Sequence, residues 1–162
     1  MPILSLDVKW NLVNITNVLP TDPENFRWYF KVKCTNCGEA KESWHYIIIN
    51  EHMDVPGSRG NAHLVEKCKL CQRINTLMII EDSVQPYNVE KNEQFQSILK
   101  MDCRGVEPYD FDPRNDWRGE GPESGAPFEE IDLTEKEWSD YDEKIQEAVE
   151  INSFGCRFTH TR

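Results

Sequence analysis

Two Cys-x-x-Cys pairs, Cys34/Cys37 and Cys68/Cys71, constrain this chain more than any other feature of it. Each pair can wrap a tight turn whose two sulfurs face one ion. Zinc takes four ligands in a tetrahedron, at ~2.3 Å for sulfur, and two such turns supply them. The spacing therefore predicts one closed Zn2+ site with Cys34, Cys37, Cys68 and Cys71 as its ligands, and an amino-terminal β unit built around zinc-ribbon-like knuckles. Gly38 follows the first pair, where positive φ lets backbone N–H groups turn toward the sulfurs. Gln72 stands at the corresponding place after the second pair, which makes that turn the less typical of the two.

The surrounding chain has a soluble, globular composition, 38% hydrophobic and 29% charged. Its longest aliphatic run, Leu77 to Ile80, falls far short of the ~20 apolar residues that cross a bilayer, so no membrane contact is expected. The amino-terminal residues alternate apolar and polar and carry Asp7 and Lys9, unlike a signal peptide. The expectation is a reducing compartment, the cytoplasm or the nucleus, where paired thiols bind metal rather than oxidise.

Formal net charge is −11, which weighs against binding a nucleic acid backbone. Residues 1–82 hold 10 acids and 9 bases, so the remaining 19 of 29 acids and 9 of 18 bases make residues 83–162 strongly acidic. The near-neutral first half owes its balance to Lys31, Lys33, Lys67, Lys69 and Arg73 around the cysteines. A four-thiolate zinc centre carries about two negative charges, and nearby cations and N–H groups would offset them.

Period-two patterns predict strands. Leu4, Leu6, Val8, Trp10 and Leu12 alternate with polar residues. Phe26, Trp28, Phe30 and Val32 run into Cys34, and Trp44, Tyr46 and Ile48 form the expected return strand. Ala62 to Lys67 and Ile74 to Ile80 flank the second pair, and Phe154, Cys156, Phe158 and His160 form a last strand. The Pro- and Gly-rich stretch 105–125 reads as a long irregular connection. Thr134 and Glu137 fit a capping box, with Trp138, Tyr141, Ile145 and Val149 at helical spacing, which predicts one short helix near 135–149.

Offsets of roughly 65–69 residues relate the two halves: Phe26 to Cys34 matches Phe95 to Cys103 in spacing, and Pro20 matches Pro86. The predicted fold is thus mainly β, with two similar antiparallel units, 1–82 and 83–162, in a pseudo-twofold, barrel- or sandwich-like arrangement packed as one globule. Only the first unit keeps a metal set. Cys103 and Cys156 are then small buried apolar residues. A duplicated chain supplies its own pseudo-dimer, so a monomer is expected.

The family resemblance is carried by "FRWYFKVKCTNCGE" (26–39), "GSRGNAHLVEKCKLC" (57–71), "QPYN" (85–88), "CRGVEP" (103–108), "ESGAPFEEIDL" (123–133) and "EWSDYDEKIQE" (137–147). In these blocks, taken in order from about Leu4 to Phe158, the chain resembles the eukaryotic CXXC motif-containing zinc-binding proteins. The resemblance implies a mostly β fold with one zinc on Cys34, Cys37, Cys68 and Cys71, and it carries over no catalytic residue.

Four all-cysteine ligands leave no open position for a hydrolytic water. His45, His52, His63 and His160 show no ligand or triad spacing, and no nucleophile-elbow or Walker motif is present. The expected function is a non-catalytic zinc protein that contacts a protein partner. The alternative is a thiolate-based metal-handling or redox protein.

Overall fold

The computed structural model describes residues 2–161, in which fourteen strands and two 3-10 turns (Glu81–Ser83 and Val89–Lys91) account for the regular structure. The sheets are antiparallel, and no α-helix occurs among the described residues. The strands are β1 (Ile3–Val13), β2 (Thr16–Pro20), β3 (Trp28–Cys34), β4 (His45–Ile47), β5 (Met53–Asp54), β6 (Asn61–Ala62), β7 (Leu64–Lys67) and β8 (Ile74–Ile79). They continue as β9 (Gln96–Arg104), β10 (Val106–Asp112), β11 (Arg114–Glu120), β12 (Pro127–Leu133), β13 (Trp138–Asp142) and β14 (Glu147–Thr161).

A six-stranded sheet in the order β13-β14-β1-β9-β8-β7 curls into a half-barrel. Two three-stranded sheets, β10-β3-β4 and β12-β11-β2, and the small β5-β6 pair complete the fold. The pairing of β1 with β9 shifts register between Leu6 and Asp7, and its pairing with β14 shifts between Lys9 and Asn11. Such bulges bend a strand and increase its twist, which is how a sheet of this width curls. Each of the three larger sheets combines strands from before and after residue 82.

β1 has sheet neighbours on both edges, and residues of both its faces are buried. Leu4, Leu6, Val8 and Trp10 point into the core. On the other face Asp7 is only 6% exposed, and it accepts from Ser5 Oγ at 2.7 Å, Arg157 Nε at 3.1 Å and Thr159 Oγ1 at 3.1 Å. A carboxylate so placed is tolerated because both of its oxygens find donors.

The centre of the core is aromatic. Trp117 meets Trp10, Phe26 and Trp28 with ring centroids at 5.5, 5.3 and 6.4 Å, all close to edge-on. Its indole N–H donates to the Pro113 carbonyl at 2.9 Å, which lets a polar ring sit fully buried. This cluster joins β1 and β3 to β11, whose Trp117 comes 89 residues after Trp28.

Three expectations need correction. The segment 135–149 is not a helix but the hairpin of β13 and the start of β14, joined by a turn over 143–146. Tyr141, on the expected apolar stripe, is 52% exposed, whereas Asp142 is buried. Asp142 accepts from Ser124 Oγ at 2.6 Å and from the Lys144 N–H at 2.9 Å, which fixes the turn. Register with β1, such as Leu12 with Ile151, overrides the local helical spacing. The stretch 105–125 is likewise not irregular, since it forms β10 and β11. Pro108 lies at a register shift on β10, the edge strand of its sheet, where a missing N–H is tolerated. Finally, β4 is offset by one residue, with Ile47 buried opposite Trp28 while Tyr46 faces outward.

Replacing Trp117 by alanine should cost about 3–5 kcal/mol of unfolding free energy, the range for emptying a fully buried indole site. Denaturant unfolding of wild type and variant measures the difference, and the loss should appear in both near-UV circular dichroism and fluorescence as one transition.

Candidate metal centre

Cys34 ends β3 and Cys68 directly follows β7, so two strand ends deliver the two turns. The turns are built alike. The Cys34 N–H donates to the Glu39 carbonyl at 2.9 Å, and the Gly38 N–H returns to the Cys34 carbonyl at 2.9 Å. In the second turn Cys68 N–H donates to Arg73 and Gln72 N–H returns to Cys68, both at 2.8 Å. Gly38 and Gln72 share the left-handed conformation, φ 81° and 68°. Glycine adopts it freely, whereas Gln72 does so at a steric cost of about 1–2 kcal/mol. The Gln72 side-chain amide donates to the Lys69 carbonyl at 3.0 Å across the same turn.

All four sulfurs lie within 4.8 Å of one another. Cys34 and Cys71 are 3.7 Å apart and Cys37 and Cys68 3.5 Å apart. A tetrahedron with ~2.3 Å bonds has edges of ~3.8 Å. The cysteines are free thiols rather than disulfides. The donor set is all sulfur, which suits zinc or another soft ion and excludes a magnesium or calcium cage.

The protein supplies N–H groups to these sulfurs. The Cys34 thiol is brought down to about 6, first by the Cys37 backbone N–H and also by Asn75 and Asn36, against the opposing effect of burial. At Cys37 the Glu39 backbone N–H acts downward, but burial and contacts with the other thiols prevail and push it up to about 12. Cys71 is lowered by the Asn36 side chain and the Arg73 backbone N–H. Without metal the cluster thus holds a shared, incomplete set of protons, which a bound cation would displace. Arg73 donates to Asn36 at 3.3 Å and ties one turn to the other. Of the other cations expected to face the metal, Lys31 turns to Glu42 and Trp44 instead.

Asn75 is a member of the site that cysteine spacing could not reveal. It is 2% exposed, and its amide donates to Cys34 Sγ at 3.4 Å. Gly105 sits against it in a left-handed turn. A Cβ at Gly105 would come within 2.2 Å of Asn75 Oδ1. The Gly105 carbonyl accepts from the Thr35 N–H inside the first turn, and Val106 pairs with Cys34. A Cys34 turn braced by residues 105 and 106 is therefore braced by the second half of the chain. Cys103 and Cys156 are not part of the cluster. Cys103 is buried in the core, and burial pushes its thiol up to about 12.

A second convergence, of His52, His63 and Glu81 within 4.8 Å, has different chemistry. His63 is 4% exposed, and its Nδ1 accepts the Ile79 N–H at 2.7 Å. The neutral ring must then carry its proton on Nε2, so neither nitrogen offers a lone pair to an ion. His63 is a strap between β8 and the residues leading into β7. The other two histidines meet carboxylates, His45 with Glu66 at 3.7 Å and His160 with Glu107 at 3.8 Å.

Comparison with known proteins places these residues in a wider set. Residues 5–159 match the model of the family described as CXXC motif containing zinc binding protein, eukaryotic. A UPF0587 protein of Caenorhabditis elegans is 55% identical over 162 residues, covering 100% of this chain and 97% of its own. The human CXXC motif containing zinc binding protein is 49% identical over 148 residues, covering 91% and 92%. Among solved structures, the crystal structure of C1orf123 superposes with a TM-score of 0.91 at 46% identity, covering 98% of this chain and 99% of that one. A hypothetical protein from Plasmodium falciparum shares the fold, with a TM-score of 0.85 at 21% identity over 98% and 100%.

Two outcomes follow from the geometry. Asn75→Ala removes an N–H from a buried sulfur and should weaken metal affinity 10- to 100-fold, the usual effect of losing an outer-shell partner, as read by competition with a chromophoric chelator. His63, whose pKa is lowered by burial and by His52, should make the fold acid-sensitive. The unfolded chain takes up the proton first, so stability falls as pH drops below about 6.5, the ordinary histidine value. That component of the slope should be absent in His63→Gln when denaturant midpoints are compared from pH 7.5 to 5.

Proposed function

Because this chain belongs to the eukaryotic family of CXXC motif-containing zinc-binding proteins, we propose that it holds one structural Zn2+ on Cys34, Cys37, Cys68 and Cys71. The observation that carries this reading is the meeting of four free thiols at tetrahedral spacing, from two turns of like construction. The zinc ties the end of β3 to the β7-β8 hairpin. The hairpin's outer strand is short: β7 is an edge strand of four residues, and short edge strands hold little by themselves. A structural zinc contributes on the order of 10 kcal/mol of apparent binding free energy to folding.

On this reading the protein is non-catalytic and monomeric, works in a reducing compartment, and presents its surface to a protein partner. The repeated strand spacing reflects a duplicated β unit whose second copy has lost its metal. The half-barrel provides the frame, and among the described residues no helix is long and apolar enough to cross a membrane.

One observation favours a second reading. Cys37 is exposed and Cys71 partly so, while Cys34 and Cys68 are buried, so the cluster is open on one side. A thiol from a partner could replace Cys37 in the metal's coordination, which is the first step of metal transfer between thiolate proteins. The two readings differ in exchange rate.

Replacing Cys37 by serine should release the zinc and lower the melting temperature to that of chelator-treated wild type. The zinc content of purified protein and a thermal melt with and without chelator measure both. A melting temperature indifferent to chelator contradicts the structural reading, and complete exchange with a competing chelator within seconds favours transfer.

A further inference from the structure

A cavity of about 450 Å³ lies on the far side of β3 from the core, away from the metal centre, where the chain entering β3 meets the start of β11. Arg27, Tyr29, Arg114, Asn115, Asp116 and Thr134 are among the residues that line it. Two of these are guanidinium groups, in a chain whose formal net charge is −11.

The guanidiniums are positioned by what surrounds them. Arg114 lies 3.6 Å from the centre of the Tyr29 ring, and its Nε donates to Asp112 Oδ2 at 3.2 Å. Among the described residues no other hydrogen bond is made by its side chain, so four of its five N–H groups are available at the cavity. Lys136 also pairs with Asp112, at 3.3 Å, so that carboxylate is neutralised twice over. Arg27 lies 4.8 Å from the Tyr46 ring, and Tyr46 lies 5.9 Å from Tyr29. The order is therefore Arg114, Tyr29, Tyr46, Arg27, two rings between two cations, and these contacts fix the position of both guanidiniums. Arg114 itself has φ 55° and Asp116 φ 69°, backbone conformations uncommon away from glycine, which persist where the surroundings fix them.

We propose that this cavity binds an organic phosphate monoester. Two of the lining residues are guanidiniums and one, Asp116, is a carboxylate, while Asp112, which pairs with Arg114, is shared with Lys136. A carboxylate ligand offers two oxygens and is saturated by one guanidinium. A phosphate offers three oxygens and close to two charges, so it can accept from both. The cavity is much larger than a phosphate group alone, so the ester's organic part occupies the remainder, against Phe26 and Tyr29. The site stands apart from the cysteine cluster and does not depend on the reading of that cluster as structural or exchanging.

The test is titration of the zinc-loaded full-length protein with phenyl phosphate, inorganic phosphate and benzoate at constant ionic strength, followed by amide and guanidinium NMR shifts. Saturable shifts at Arg27, Arg114 and Asn115 are expected with phenyl phosphate, which should bind at least threefold more tightly than either other anion. Arg114→Gln and Arg27→Gln should each weaken it at least tenfold, and Arg114→Lys less than Arg114→Gln. Unchanged zinc content and melting temperature in Arg27→Gln, which lies outside the strands, separate lost binding from lost folding. Shifts that do not saturate, that persist in both glutamine variants, or that are matched by inorganic phosphate or benzoate would overturn the proposal.

Discussion

Sulfur anions need hydrogen-bond donors before they can be held together, and the two turns of this protein are built to provide them. Thiols crowded within 4.8 Å repel as they ionise. Backbone N–H groups at Cys37, Asn36, Glu39 and Arg73, with the Asn75 amide, offset that charge locally. The donors come from the turn conformation itself, in which the residue after each second cysteine is left-handed. Lys31, one of the nearby lysines, is engaged elsewhere. The architecture around the site follows from this requirement: strand ends must arrive in register, or the N–H groups point away from the sulfurs.

Register is set by long-range pairing rather than by the segments near the cysteines. β14 lies along nearly all of β1, joining the two ends of the described chain. β10 pairs with β3 and places Val106 opposite Cys34, and Gly105 leaves just enough room for Asn75. The acidic second half is therefore part of the structure that shapes the cysteine site in the first half. Core and site are coupled in the same way. Trp117, from the second half, fills the space between Trp10 and Trp28 from the first.

Where the sequence was legible, a short-range pattern agreed with the long-range pairing. The cysteine spacing pointed to the four thiols that converge, because a turn is a local object. The alternations of β1, β3, β8 and the carboxyl-terminal strand were readable because one face of each is apolar. Legibility failed where local and distant demands disagree. Thr134 and Glu137 resemble a helix start, but Thr134 spends its hydroxyl on Asp132, and the following residues pair along β14. The prolines of 105–125 resemble a loop, yet Pro108 occupies an edge where no N–H is required. Asn75 and His63 gave no signal at all, because a single buried amide or imidazole is recognised only by its neighbours in space, Cys34 for one and the Ile79 N–H for the other.

The burial of the four cysteines bears on how a metal could leave as well as on how it is held. Cys34 is the most firmly placed, with its strand paired on β10, its thiol lowered and Asn75 packed behind it. Cys68 is buried beside it. Exchange that began at either would require opening the sheet. Cys37 is exposed and carries the thiol most inclined to keep its proton. A bound ion is therefore least secure on that side, and an incoming ligand or a proton would compete there first. Structural and exchanging behaviour are then not different sites but different rates at one site. The inner pair is braced by Asn75, Gly105 and the pairing of Val106 with Cys34.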